Sequence, residues 1–596
     1  MAEYTAPLRD MRFALEHLAG LDEVAALEGF EHVDHDGVLS ILEEYARFME
    51  DKVAPLNRVG DLQGCVWHED GTVTTPEGFK EAYRDYVEAG WGGVALPEAY
   101  GGGGFPWLVG IAMQEIITSA NMAFSMLPLL SQGAIDMLLH YASEEQKETY
   151  LPKMVSGEWT GTMNLTEPQA GSDVGALTTR AVKQDDGTYR ITGTKIFISF
   201  GEHDMAQNII HLVLARTPDA PPGTKGISCF IVPKYLVDED GSLGERNDVT
   251  CVSIEHKMGI KASPTCVLAY GDKGDGAIGY LIGEENAGMR YMFKMMNNAR
   301  LSVGLQGLSL AERAYQMALT YAKERLQGRA PGAPAGVQSP IIEHPDVRRM
   351  LLTMRSQIEA LRGVIYLNAA AIDHATHGAT EEDRAAGQEL ADILTPLSKG
   401  WGTDLGVEIT SLAIQVYGGM GYIEETGVAQ HFRDARIAPI YEGTNGIQAM
   451  DLVGRKLPMR GGAAVGDLLD RIEAIDAQLA AAGEDLETIR NGLSKGVVAL
   501  RTATTWLLEN GLEDPLDALA GATPYLRLFG VVVGGWMMAR QALAAHAALE
   551  GASDADADWH RQKIVSARFY CDQLIPQAAG LVPAITATNR DLAAAY

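Results

Sequence analysis

The run Tyr441-Glu442-Gly443-Thr444-Asn445-Gly446 follows Arg433-Asp434-Ala435-Arg436-Ile437 and precedes Ile447, Met450 and Leu452, which mark a helix. It places a carboxylate on a turn broken by glycines and beside an aromatic ring. Glycine lets backbone approach a ligand closely. An aromatic wall partly dries the carboxylate, which raises its pKa toward the range in which a general base works. Taken alone, the run reads as a solvated helix cap.

Three blocks upstream change that reading. They are Met163-Asn164-Leu165-Thr166-Glu167-Pro168-Gln169-Ala170-Gly171-Ser172-Asp173, Lys195-Ile196-Phe197-Ile198-Ser199 and Gln415-Val416-Tyr417-Gly418-Gly419. With the glutamate turn, and in this order, they resemble the acyl-CoA dehydrogenase family of flavoproteins over roughly residues 36 to 457. The segments at both ends resemble a long subgroup that includes enzymes acting on 3-(methylthio)propionyl-CoA.

The resemblance implies an α+β multidomain chain. A helical extension (1–35) precedes a helical N-terminal domain (36–158), an antiparallel β-barrel (159–283), an antiparallel four-helix bundle with the glutamate (284–457) and a further helical domain (458–596). The texture agrees. Leu8, Met11, Leu15 and Leu18 keep helical spacing, as do Leu39, Leu42, Met49 and Val53 up to Pro55. A helix is predicted near Pro76 with Thr75 as its cap, and the glycine-rich run 91–104 reads as a loop. Segments 189–198, 209–214, 227–232 and 251–254 are β-prone, and 271–276 reads as an exposed hairpin or loop. Long helical patterns return at 288–328, 345–371, 381–400 and 401–417. Pro458 to Gly462 reads as a linker, and Thr523-Pro524 as a helix start with proline in the first helical position. The apolar run 528–539, bounded by Arg527 and Arg540, is too short to span a bilayer and reads as a buried helix.

Acyl-CoA dehydrogenation needs a carboxylate to take an α-proton and groups that stabilise the enolate oxygen. The β-hydride needs an acceptor that no side chain supplies, hence a flavin. No G-x-G-x-x-G follows a strand, which argues against a Rossmann NAD site. The resemblance makes Glu442 the general base, with its own N–H on the thioester oxygen, and FAD the cofactor. It implies that Thr166 meets the flavin ring beside Met163 and Leu165, and that Ser172 lies near the flavin phosphates and the CoA. Phe197 would lie against the flavin where most relatives carry Trp, with Ser199 near its reactive nitrogen. A plain core Phe is the competing reading. Asn297, Arg300 and Gly443 would line the substrate channel, and Thr444 would touch the flavin. Arg325, Gln327, Gln415 and Gly419 would reach the FAD of a neighbouring subunit, which implies a homodimer. Arg suits a diphosphate.

The 596-residue chain carries a formal charge of -31, which argues against nucleic-acid and anionic-membrane partners. Five scattered cysteines without a C-x-x-C pair fit reduced thiols in the cytoplasm, and no histidine spacing suggests a metal. The implied electron acceptor is an electron-transfer flavoprotein. Two alternatives stay open: an acyl-CoA oxidase that uses oxygen, and a flavin-bearing nucleic-acid binder of the same fold, against which charge and Glu442 both argue.

Overall fold

The computed structural model describes residues 4–511 and 514–595. The chain forms two compact units: Met1–Glu43 with Pro106–Glu115 and Arg300–Tyr596, and Glu44–Phe105 with Ile116–Ala299.

The second unit is built on an eight-stranded sheet of β1 (Trp159–Asn164), β2 (Arg180–Lys183), β3 (Tyr189–Ser199), β4 (Asn208–Ala215), β5 (Ser228–Pro233), β6 (Val249–Ile254), β7 (Thr265–Tyr270) and β8 (Ala277–Leu281). The strand order is β6-β7-β3-β8-β5-β4-β1, with β2 on β3, and every pairing is antiparallel except β1 with β4. Strands β1, β7 and β8 carried no strand signal in the sequence. In β1 (Trp-Thr-Gly-Thr-Met-Asn) both faces are covered, so no polar alternation marks it. Segment 271–276 is a crossover rather than a hairpin, because β7 and β8 both pair with β3. Alternation along β4 sends Ile210, Leu212 and Leu214 into one core and Val213 and Ala215 into another. The first core also takes Ala134, Ile135 and Leu138 of the helix Met122–Tyr141 and Met292 and Met295. The helix predicted near Pro76 starts at Phe79, behind Gly78. Thr75 does not cap it: its N–H and hydroxyl both donate to Asp204 Oδ1, at 3.1 and 2.7 Å.

The first unit is helical. Its long elements are α1 (Gly288–Glu324, from Arg300 onward), α2 (Pro345–His377), α3 (Glu381–Pro396), α4 (Gly402–Tyr417), α5 (Asn445–Asp451) and α6 (Ala522–Ala548). A π-helical turn, Leu397–Trp401, joins α3 to α4 without a break. Where α1 crosses this segment the contact is backbone on backbone. A methyl at Gly304 would collide with the Ser398 carbonyl, and one at Gly307 with the Gly402 carbonyl. Arg362 is 2% exposed and donates to Glu115 Oε1 (3.0 and 2.7 Å) and Glu312 Oε2 (2.9 Å), and the Tyr366 hydroxyl donates to Glu115 (2.7 Å). Buried charge is tolerated only when paired in this way.

Helix α6 begins at Ala522, so Pro524 falls inside its first turn, where its missing N–H still costs nothing. It and Met122–Tyr141 are long and apolar enough to cross a bilayer by length and composition, with 83% and 78% of their apolar windows buried in the protein. The run bounded in the sequence by Arg527 and Arg540 is thus the middle of a longer helix. Gly530 and Gly534 press it against the Trp401 ring, and Leu526 packs on Gly400.

Gly307→Ala places a methyl in the α1–α4 crossing, which an interior this tight cannot absorb. A loss of about 1–3 kcal/mol is expected, read as a lowered melting temperature. An unchanged melting temperature would mean that the helices separate freely.

Candidate active site

In the sheet-bearing unit, Met163 is half-buried at the end of β1, and Leu165 and Thr166 follow in the loop. Two bonds hold this loop to β3. The Ile196 N–H donates to Thr166 O (2.9 Å), and the fully buried Lys195 donates through Nζ to Leu165 O (2.9 Å) and Glu167 Oε1 (2.9 Å). Burial works against the Glu167 charge, but Lys195 outweighs it and pulls the carboxyl down to about 2. Glu167 also accepts from the Thr178 N–H (2.7 Å) and the Thr179 N–H (3.1 Å). These bonds cinch a loop whose exposed tip carries Ser172.

Phe197 is not a core residue. The β3–β7 register runs Ser199↔Thr265 and Ile198↔Cys266, then skips to Lys195↔Leu268, so β3 holds an extra residue there. In this bulge Phe197 takes φ 60° and its ring stands 59% exposed. Bulges re-aim side chains, and left-handed backbone in a bulky residue persists only where the surroundings impose it. Ser199, two residues on, is half-buried. A loop with a half-buried Thr166 beside a presented aromatic ring and a hydroxyl suits a flat heteroaromatic cofactor.

In the helical unit, Glu442 and Gly443 are both left-handed, at φ 56° and 82°. The helix cap is Thr444, whose hydroxyl accepts from the Ile447 N–H (3.2 Å). Glu442 is therefore not the cap. Among the described residues neither its N–H nor its carboxylate has a hydrogen-bond partner. Burial raises the carboxyl to about 7, with Lys399 and Arg300 opposing the rise. The side chain is half-buried, so solvent or a ligand still reaches it. Tyr441 beside it donates its hydroxyl to Gln306 Oε1. Arg300 is 4% exposed rather than a surface cation, and it lies 3.9 Å from Asp451 Oδ2. Asn297, in the other unit, is exposed.

Lys399 drew no attention in the sequence, where it sits in a helical pattern. It is wholly buried on the π-helical turn, and its Nζ donates to Asn445 Oδ1 (2.9 Å). Asn445 Nδ2 donates to Gly400 O (2.9 Å) and Asp404 Oδ1 (2.7 Å), which ties the Glu442 turn to α4. A charged residue within an otherwise apolar helical stripe was the available signal.

Four further residues collect at one exposed end of the helices. Tyr321 stacks on Tyr417 with ring centroids 4.0 Å apart. Arg325 and Gln327 follow Tyr321, Gln415 and Gly419 flank Tyr417, and all four are exposed. His203 and His211, by contrast, are buried and hydrogen-bonded to Thr160 (3.1 Å) and Thr162 (2.7 Å).

Comparison with known proteins gives one answer along the chain. Profiles of the acyl-CoA dehydrogenase N-terminal, middle and C-terminal domains match residues 38–158, 162–272 and 286–457. A profile described as acetyl-CoA dehydrogenase C-terminal like matches 468–595. The chain is 48% identical to 3-methylmercaptopropionyl-CoA dehydrogenase of Ruegeria pomeroyi, over 99% of both chains. It is 36% identical to a butyryl-CoA dehydrogenase of Syntrophomonas wolfei, over 98% of this chain and 97% of that one. The crystal structure of Caenorhabditis elegans ACDH-11 in complex with C11-CoA is 20% identical and shares the fold, with a TM-score of 0.77 over 96% of this chain and 92% of that one. The chain belongs to the acyl-CoA dehydrogenase family.

Proposed function

We propose that this protein dehydrogenates a saturated acyl-CoA thioester to the trans-2-enoyl-CoA, with Glu442 as the base. The observation that carries the reading is a half-buried carboxylate, raised to about 7, on a left-handed turn whose helix is capped by another residue. A base with a pKa near the working pH combines ionisation with a useful affinity for the proton. The unpartnered Glu442 N–H is a donor for the thioester oxygen as charge develops there. Arg300 and Gly443 flank the base, and Asn297 is assigned to the substrate channel with them.

FAD is the cofactor, and when bound it supplies the acceptor for the β-hydride. Met163, Leu165, Thr166, Phe197 and Ser199 would hold its ring, Ser172 its phosphate side and Thr444 its substrate side. Acyl-CoA dehydrogenase relatives, rather than oxidases, favour an electron-transfer flavoprotein over oxygen as acceptor. The substrate is proposed to be short or medium in chain, with 3-(methylthio)propionyl-CoA favoured by the full-length likeness to an enzyme of that name. The cysteine pattern favours the cytoplasm.

We further infer a homodimer in which Arg325, Gln327, Gln415 and Gly419 reach the partner's FAD. Their convergence at one exposed end supports this. Arg325→Ala is expected to release FAD at least ten-fold more readily while the isolated chain keeps its melting temperature without flavin. A monomer that retains one FAD per chain would contradict the shared site.

Glu442→Gln preserves size, and Thr444 still caps α5, so the variant should fold and stay yellow. Wild type is expected to bleach with 3-(methylthio)propionyl-CoA and butyryl-CoA. The variant should bleach at least ~10²–10⁴-fold more slowly, the usual contribution of a positioned base. Equal bleaching rates would move the base elsewhere. Bleaching of wild type by long chains alone would refute the substrate preference.

A further inference from the structure

We propose that Lys399, acting through Asn445, is a positioning residue that holds the Glu442 turn against the helices and sets the charge the carboxylate meets. The proposal rests on Glu442 being the base.

The geometry is unusual for a structural lysine. Lys399 is 0% exposed, and its one hydrogen-bond acceptor among the described residues is the neutral side chain of Asn445, at 2.9 Å. No carboxylate pairs with it within ion-pair distance among those residues. Burying an ammonium this way is costly and calls for compensation. A purely apolar contact would be served as well by Met or Leu. The turn that carries it is a single π-helical insert in a helix otherwise regular from Glu381 to Tyr417, and such inserts recur at functional sites. The turn is also braced from two sides. Gly304 of α1 packs on its backbone, and Leu526 and Gly530 of α6 pack on Gly400 and Trp401. Its position therefore cannot drift with the exposed end of the site.

Asn445 completes the link. Its side chain accepts from Lys399 and donates to Gly400 O and Asp404 Oδ1, and it begins the helix that Thr444 caps. Glu442 is three residues away. Any shift of the turn breaks these bonds, so the carboxylate is held at a set distance from a buried cation. The charged and titratable groups around the pair are Arg300 from α1, Asp404 from α4, Tyr441 on the turn, and Asp451 with Arg455, which are ion-paired at 2.5 Å. Glu408 and Arg527 face Asp404 from behind. Glu442 and Asp404 favour the charged lysine, Arg300 and burial oppose it, and its pKa falls to about 7. Lysine in turn offsets part of the burial that raises Glu442.

The test reads the carboxyl itself in the FAD-loaded enzyme. Infrared difference spectra across pH follow the protonated carboxyl band of Glu442, assigned by its absence in Glu442→Gln. Lys399→Met keeps the apolar stem and removes the charge. Its Glu442 midpoint should rise by about one pH unit or more, the usual effect of losing a nearby opposite charge. Flavin bleaching should slow about ten-fold at neutral pH and recover at alkaline pH. Asn445→Ala strips the lysine of its acceptor and should move the midpoint the same way, which provides the test even if Lys399→Met does not fold. An unmoved midpoint in the folded variants, with bleaching slowed equally at every pH, would overturn the proposal. A shifted midpoint alongside normal bleaching by Glu442→Gln would instead sink the base assignment and leave this one standing.

Discussion

The chemistry of this protein depends on holding a carboxylate half out of water. Desolvation alone would leave Glu442 protonated and useless as a base at neutral pH. Full exposure would leave it ionised but too weak to take a proton bound to carbon. The structure settles between the two, with burial raising the carboxyl to about 7 against the opposing charges of Lys399 and Arg300. Both cations are themselves buried, so the balance is set in a medium that screens charge poorly.

Much of the helical unit serves to keep those three groups in register. Glycines at 304, 307, 402 and 406 let α1 and α4 meet backbone to backbone, which fixes Arg300 on one helix relative to Lys399 at the end of the other. Helix α6, from the C-terminal part of the chain, backs the same turn through Gly530 and Gly534 on Trp401. This gives the additional C-terminal helices a physical role: they complete the wall behind the lysine. In the other unit the same logic appears on a smaller scale. Lys195 and Glu167, paired in the interior at 2.9 Å, hold the Thr166 loop to the strand that presents Phe197.

The fold class and the glutamate turn were legible in the sequence because motif order and helical periodicity are local. Segment 209–214 reads as a strand because the run is apolar throughout. What escaped was set by tertiary context. Thr75 looked like a cap because it precedes a proline, yet Asp204 claims it from far along the chain. Phe197 read equally as a core residue, because a bulge depends on the register of the neighbouring strand and leaves no mark in the sequence itself. Lys399 was passed over because its burial follows from a helix crossing built by glycines on two distant segments. Glu442 could be separated from a helix cap only once Thr444 was seen to do the capping.

The central claim is that Glu442 is the base and that its environment tunes it. The most direct measurement is the pH dependence of kcat/KM for wild type, which reports ionisations of the free enzyme. The carboxyl must be ionised to act and its folded value lies near 7. The rate should therefore fall below a midpoint close to 7 and level off above it. A rate that stays flat down to the ordinary carboxylate range, near 4, would contradict the account.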